Sequence, residues 1–262
     1  MDSAKNMAYR QLSSVVNPSI STNFEPPTII NGSQFNRTTL SDNFQKQEQF
    51  FERIATLSTS EQKSYGYSVS DLINYCTYMG ERCDLSNDFE SFYNPLHGNC
   101  YVYNSGWNDS KQIVTATREG PKNGLEMVVN IDQMDYVKQA GSLAGIRVVI
   151  LDQNQMPFPE DEGVSVGPGQ LTYISLQRHE INRLGSPYGS CTEQLFDPFT
   201  SAYSAFYNVQ YRAKGCEYTC YQKKIMHECG CIDFSYLNIT ALMENINADN
   251  MSLCQSGNFE QG

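Results

Sequence analysis

Four cysteines, Cys216, Cys220, Cys229 and Cys231, lie within sixteen residues, and His227 stands two places before the third. Thiolates and an imidazole are the donors of a structural zinc site, while thiols in an oxidising compartment pair as disulfides. The spacing is C-x3-C-x8-C-x-C, which departs from the C-x2-C hairpins of zinc ribbons. Cys216 and Cys220, four residues apart, share one face of a helix and point the same way. Two such thiols bridge to neighbouring elements more readily than to each other. The expected chemistry is therefore a disulfide ladder pinning a helix to a partner segment, with no metal or cofactor. Only Cys254 lies downstream, so most partners are expected beyond residue 262.

Other residues invite catalytic readings. "GVSVG", Gly163 to Gly167, matches the G-x-S-x-G nucleophile elbow with Ser165 at its centre, but the elbow needs a following helix and Pro168-Gly169 stands there instead. None of His97, His179 and His227 sits in a recognisable pairing with a nucleophile. The acidic run Glu160, Asp161, Glu162 lacks the alternating oxygen ligands of a calcium loop and reads as a solvated loop. The protein is not expected to be an enzyme.

The elements that must position these residues follow from periodicity and punctuation. Residues 1–40 are rich in Ser, Asn and Thr and read as mostly irregular after a short initial helix. Phe44, Phe50, Phe51, Ile54 and Leu57 at near-helical spacing predict a helix over 41–57 behind Ser41 or Asp42, and a second is expected over 68–79 behind Ser68 or Ser70. The tract 81–98 reads as loop. Strands are expected over 99–105, 124–132, 145–153 and 169–181, where β-branched or aromatic runs are bounded by Gly, Pro, Asn and Asp. Helix returns over 215–230 and again over 239–248. Helices, then strands, then helices make the expected class α+β.

Charge and cysteine content narrow the setting. Eighteen Lys and Arg stand against 29 Asp and Glu, a formal net charge of -11, which excludes broad nucleic-acid binding. Nine cysteines and N-x-[ST] sequons at Asn31, Asn36, Asn108, Asn238 and Asn250 point to an extracellular setting. The start "MDSAKNMAYRQLSSVV" has no apolar core of a signal peptide, and the longest apolar runs fall far short of the ~20 residues that span a bilayer. With an odd cysteine count, the chain reads as an excised piece of an extracellular domain.

Seven stretches in order, "YCTYMGERC", "GNCYVYNSG", "NGLEMVVNI", "AGIRVVILDQNQMPF", "VGPGQLTYISL", "RLGSPYGSC" and "CEYTCYQKKIMHECGCIDF", resemble the extracellular domain of the degenerin/epithelial sodium channel family, which includes acid-sensing and peptide-gated channels. The resemblance implies a trimeric, sodium-selective, amiloride-sensitive channel of the plasma membrane. Its disulfide-rich extracellular part is shaped like a hand, with a β-sheet palm and β-ball and a helical finger and thumb. By position, 1–40 follows the first membrane helix, 41–97 forms finger helices, 98–190 the palm and β-ball strands with finger loops, and 191–262 the start of a truncated thumb.

The resemblance also implies residue roles. Cys76 pairs with Cys83 and Cys231 with Cys254. Cys100 pairs with a cysteine before residue 1, and Cys191, Cys216, Cys220 and Cys229 with cysteines after 262; for Cys229, Cys254 serves equally well from this chain alone. Tyr188 takes the place of an aromatic that meets the first membrane helix and transmits thumb movement to the pore. Acid-sensing members carry paired carboxylates where this chain has Asn154 and Gln155, leaving Asp135 as the one finger acid; amides do not titrate, so no proton sensing is expected there. Partners are other subunits, homo- or heteromeric, an extracellular peptide or matrix ligand, and the membrane through flanking helices. The competing readings are a secreted disulfide-rich binding module without a pore and a secreted hydrolase using Ser165.

Overall fold

The computed structural model describes residues 9–10, 13–14, 18–19, 46–47, 49–136, 144–179, 181, 184–185, 187–189, 201–240 and 251–254. The strands are β1 (Tyr9–Arg10), β2 (Ser13–Ser14), β3 (Pro18–Ser19), β4 (Ile73–Tyr78), β5 (Glu81–Arg82), β6 (Phe89–Asn94), β7 (Gly98–Tyr103), β8 (Thr115–Ala116), β9 (Leu125–Val129), β10 (Gly145–Val148), β11 (Ile150–Leu151) and β12 (Val164–Val166). The helices are α1 (46–47 and 49–55), α2 (Thr59–Ser64), α3 (Val69–Leu72), α4 (Pro159–Glu162), α5 (Ala202–Tyr207) and α6 (Ala213–Cys229). The mixture of helix and strand agrees with the α+β expectation.

Among the described residues five small antiparallel sheets result, in the orders β1-β8, β12-β10-β3, β11-β2, β5-β4-β9 and β6-β7. Strand β7 shows how they share a core. Its side chains alternate faces, as any strand's do. Cys100 and Val102 enter one buried cluster with Phe92, Val149 and Phe158, while Tyr101 and Tyr103 enter another with Leu72, Ile73 and Phe89. Buried on both faces, the strand reads as the continuous run "CYVY" rather than an alternating one. A third cluster, Ala202, Met226, Ile232 and Ile239, lies under the distal part of α6.

Several elements differ from the sequence reading. The helix expected over 68–79 is a single turn. Ser68 caps it in a capping box with Asp71, but the chain then extends as β4. Ile73, Tyr75 and Thr77 suit a pleated surface, and pairing with β9 and β5 decides the outcome over the local cap signal. The tract 81–98, read as loop, holds β5 and β6; Phe89 and Phe92 are buried there. Residues 171–179, read as strand, form none, and Leu171 and Tyr173 are exposed. Residues 1–40 contribute three two-residue strands, and the rest of that segment, with its expected initial helix, lies outside the described residues, as do 241–248 of the last expected helix.

Among the described residues two disulfides are present, Cys76–Cys83 and Cys231–Cys254. The first clips the β4–β5 hairpin, whose two-residue turn places Met79 and Gly80 in the left-handed region at φ 54° and 82°. The second joins the end of α6 to a segment whose Leu253 bridges Ile232. Their sequence separations are 7 and 23 residues. Loop-closure entropy then makes C231A/C254A cost about 3 kcal/mol and C76A/C83A about 2. Urea unfolding of both variants checks the order, and a larger loss from the shorter loop contradicts it.

Candidate functional site

Helix α6 carries the cysteine-rich motif, so what seats it decides what the motif can transmit. Seventeen residues long, it ends at Gly230, whose φ of 66° lets the chain turn out of the helix. Its buried residues are Gly215, Tyr218, Thr219, Gln222 and Met226. Gly215 is the point of closest approach: a Cβ there would meet Ser201 Oγ at 3.0 Å and the Phe158 ring at 3.6 Å. One turn on, the Thr219 hydroxyl donates to Gly215 O at 2.6 Å and accepts from Ala202 N–H at 3.0 Å. That N–H opens α5 and has no partner within its own helix.

The N-terminal end of α6 faces α4, the acidic turn. Arg212 grips Glu162 with both guanidinium nitrogens, at 2.9 and 2.5 Å, donates to Met156 O at 2.8 Å and lies 5.7 Å over the Phe158 ring. Lys214 reaches Asp161 at 2.8 Å and Glu217 at 2.9 Å, with its ammonium 5.4 Å from the Tyr218 ring centre. The Tyr218 hydroxyl donates to Asp161 at 2.9 Å. Lys214 and Tyr218 hold the Asp161 carboxyl below its ordinary pKa. Carboxylates also suit a helix N-terminus, where the unpaired N–H groups carry partial positive charge. The run Glu160–Glu162 is a helical turn rather than the loop its composition implies, with Asp161 and Glu162 exposed as expected and ion-paired to Lys214 and Arg212. It is the socket of α6.

Around it runs an aromatic relay with Phe158 at its centre. Tyr203 and Tyr218 each meet its ring edge to face at 5.1 Å, and Tyr236 meets Tyr218 in the same way at 5.1 Å. The Tyr203 hydroxyl accepts from Leu237 N–H at 3.1 Å. On the other side Arg147 of β10 donates to the carbonyls of Pro159 and Glu160 at 2.8 and 3.4 Å and to Ser165 Oγ at 2.8 Å. Sheet, acidic turn and α6 thus form one connected network.

Glu160 differs from its two neighbours. Its carboxylate turns inward and accepts from the Asn94 amide at 3.1 Å, and burial raises its pKa while hydrogen bonds and the nearby Asp161 act as smaller influences. The folded state therefore holds this proton more tightly than the unfolded chain, so Glu160 makes stability fall as pH rises from about 4 through its raised native value. Glu160→Gln removes that contribution. In urea titrations across pH, E160Q is expected to gain on the parent protein through that window and to be the more stable of the two at pH 7. A loss of stability at pH 7 contradicts the assignment.

The other sequence-predicted residues fall as follows. Asn154 sits at φ 59°, a left-handed position that asparagine tolerates better than most residues. Its N–H donates to Ser105 O and its carbonyl accepts from Gln210 N–H, both at 2.7 Å. Gln155 accepts the Trp107 indole N–H at 3.2 Å and bridges Gln210. These two amides hold the segment leading into α6 through their backbones. Asp135 closes a 3-10 turn, Gln133–Asp135.

Tyr188 is 82% exposed on a turn in which its N–H and that of Gly189 both donate to Gly185 O. Cys100 is buried, Cys216 half-buried, Cys220 and Cys229 exposed, and Cys191 lies outside the described residues. Cys231 is committed to Cys254, which removes it from any donor set with His227. Among the described residues no group of three or more His, Cys, Asp or Glu is placed to hold a metal ion. Ser165 lies in β12 with a turn after Gly167, so the elbow's helix is missing. Burial, with the Arg147 charge as a smaller cause, brings His97 down to a pKa of about 4. It is neutral at physiological pH and no sensor there. His179 and His227 are exposed, as are Asn108 and Asn238; Asn31, Asn36 and Asn250 lie outside the described residues.

Sequence reasoning missed Arg212, Lys214, Tyr218, Gln222 and Phe158. The one local signal was the density of tyrosine and charge around the cysteines. Nothing local reveals that Arg212 finds its carboxylate 50 residues upstream.

A sequence profile of the amiloride-sensitive sodium channel family matches residues 4–261, and the chain belongs to that family. It is 33% identical over 189 residues to the epithelial sodium channel subunit beta of Neoceratodus forsteri, covering 72% of this chain and 28% of that protein. It is 32% identical to degenerin unc-8 of Caenorhabditis elegans, covering 72% and 23%, and 32% identical to the epithelial sodium channel subunit alpha of Neoceratodus forsteri, covering 72% and 28%. The chain thus spans about a quarter of the length of these curated relatives. The family is one of ion channels rather than enzymes, and the hydrolase reading of Ser165 is dropped. Among the described residues no helix is long and apolar enough to cross a membrane.

Proposed function

We propose that this chain is the extracellular gating region of an amiloride-sensitive, sodium-selective channel subunit at the plasma membrane. The observation that carries the reading is the family match over 4–261 in a chain whose cysteine-bearing helix is fastened at its base to a sheet-borne acidic turn. A helix held by two ion pairs and a ring cluster at one end, and by a disulfide just past the other, moves as a unit with what it is bonded to. That is the property a stimulus-transmitting lever needs.

In this reading α6 belongs to the thumb, beginning within 191–262; 98–190 supplies palm and β-ball; and 41–97 lies in the finger of a hand-like domain. Cys100 pairs with a cysteine preceding this chain, and Cys191, Cys216, Cys220 and Cys229 with cysteines following it. Two intact disulfides among the described residues support an oxidising, extracellular compartment. Tyr188, exposed on a turn, is offered as the contact to the first membrane helix. The subunit assembles with others into a homo- or heteromeric trimer. With amides at 154 and 155, the stimulus is a peptide, a matrix-borne force or a basal open state rather than protons at that pocket.

Recording amiloride-sensitive sodium current from the complete subunit, alone and with related subunits, during acid, neuropeptide and pressure steps tests the proposal. A sodium current blocked by amiloride is expected. No sodium current in any combination, with the protein present at the cell surface, contradicts it.

A further inference from the structure

Among the described residues Glu160 is the member of the acidic turn that no cation pairs with. Arg212 is committed to Glu162, and Lys214 to Asp161 and Glu217. Arg147 of β10 spends its guanidinium on the carbonyls of Pro159 and Glu160 and on Ser165 Oγ. What reaches the half-buried Glu160 carboxylate is the Asn94 amide from β6, at 3.1 Å, and the Tyr218 phenol from α6. The phenol has one proton and gives it to Asp161 at 2.9 Å. Toward Glu160 it therefore offers an oxygen lone pair, which a carboxylate cannot use and a carboxyl group can. The other titratable groups around the turn carry no charge at neutral pH. Cys100 of β7 and Tyr203 of α5 are held neutral by burial, and His97, in the turn between β6 and β7, faces Arg147 and is neutral above a pH of about 4.

We propose that Glu160 is a proton-operated latch on the seat of α6: protonated, its carboxyl donates to the Tyr218 oxygen and completes a relay from Glu160 through Tyr218 to Asp161; ionised, it loses that bond and the seat loosens. The proposal deepens the gating reading above and rests on it, with protons biasing the lever whatever stimulus moves it. Lifting α6 takes Tyr218 away and lets water reach the carboxylate, which returns to its ordinary range. Opening therefore releases one proton to solvent, closing takes one up, and no other bond to hydrogen changes hands. Because the closed seat holds the proton more tightly than water does, opening becomes easier as pH rises from about 4 through the raised native value of Glu160, and levels off above it. Asp161 works in the opposite direction: its lowered pKa favours the closed seat as pH rises, but only below about 4. Above pH 5 the Glu160 latch is thus the part of the seat that responds.

The test is amide hydrogen exchange of the complete purified subunit between pH 5 and 8, corrected for the intrinsic rate, with the parent compared to Glu160→Gln over the peptides of α6. Glutamine offers an N–H to the phenol and an oxygen to Asn94 at every pH, so it stands for the protonated latch. Protection of the parent relative to E160Q is expected to fall with rising pH, by at most about tenfold per pH unit for the single linked proton, and then to level off. Amiloride-sensitive sodium current from the same two proteins reads the consequence: the parent's stimulus–response midpoint moves with pH, and E160Q stays where the parent lies in acid. Protection that runs parallel in the two proteins at every pH, or midpoints that shift alike, overturns the latch. The expected exchange difference with no sodium current from either protein overturns the gating reading and leaves the latch standing.

Discussion

Gln222→Leu is expected to destabilise the protein by about 3 kcal/mol, although the exchange replaces a fully buried polar side chain with an apolar one of similar size. Gln222 sits inside α6, and its amide serves the chain that follows the helix. Nε2 donates to Asp233 O at 3.1 Å and to Leu237 O at 3.4 Å, and Oε1 accepts from Asp233 N–H at 3.3 Å. Leucine fills the space but leaves one N–H and two carbonyls without those partners. Each buried group so abandoned costs about 1–3 kcal/mol, less whatever relaxation toward water recovers. Chemical denaturation of the two proteins reads the difference, and an unchanged midpoint refutes the assignment. Gln222→Glu sharpens it: a carboxylate facing two carbonyls is unfavourable, while its protonated form can donate, so this variant should recover relative to the parent on acidification.

Phe158→Ala is expected to cost about 3–5 kcal/mol. The ring is 2% exposed and fills the space between α5, α6 and β7. Its removal deletes two edge-to-face contacts, the cation-π contact of Arg212 and the surface against which Gly215 seats α6. Phe158→Leu keeps most of the volume and should lose roughly 1 kcal/mol. The ratio of the two losses, measured by urea unfolding, separates packing from a local backbone effect. Equal losses would show that Phe158 matters for something other than the space it fills.

What the sequence made legible was set by how local the determinants are. Helix α6 could be read from spacing and from Gly230, and β7, β9 and β10 from β-branched and aromatic runs closed by Asn, Asp and Gly. The stretch 68–79 misled because its cap is real: Ser68 and Asp71 form the capping box, yet the helix stops after Leu72 because β9 lies alongside to pair with Ile73 onward. The acidic turn misled for a different reason. Three successive carboxylates normally face water, and here each has a partner supplied from a distant element, Asn94 for Glu160, Lys214 and Tyr218 for Asp161, and Arg212 for Glu162. The Asn154 side chain cannot titrate, and what the fold uses is its backbone: a left-handed φ, an N–H donated to Ser105 O and a carbonyl accepting from Gln210 N–H.

In the proposed channel subunit, the seat of α6 on the acidic turn would couple stimulus to gate. The direct measurement is the amiloride-sensitive sodium current of the complete subunit carrying Arg212→Glu, Glu162→Arg, or both, with surface expression quantified in each case. The bidentate pair is half-buried, where truncating or reversing one partner is felt more than on an open surface. Each single reversal is expected to shift the stimulus–response midpoint, and the double reversal to bring it back toward the parent value, since the ion pair is restored with its polarity exchanged. Four proteins with the same midpoint, or a double variant displaced by the sum of the two single shifts, would contradict the claim.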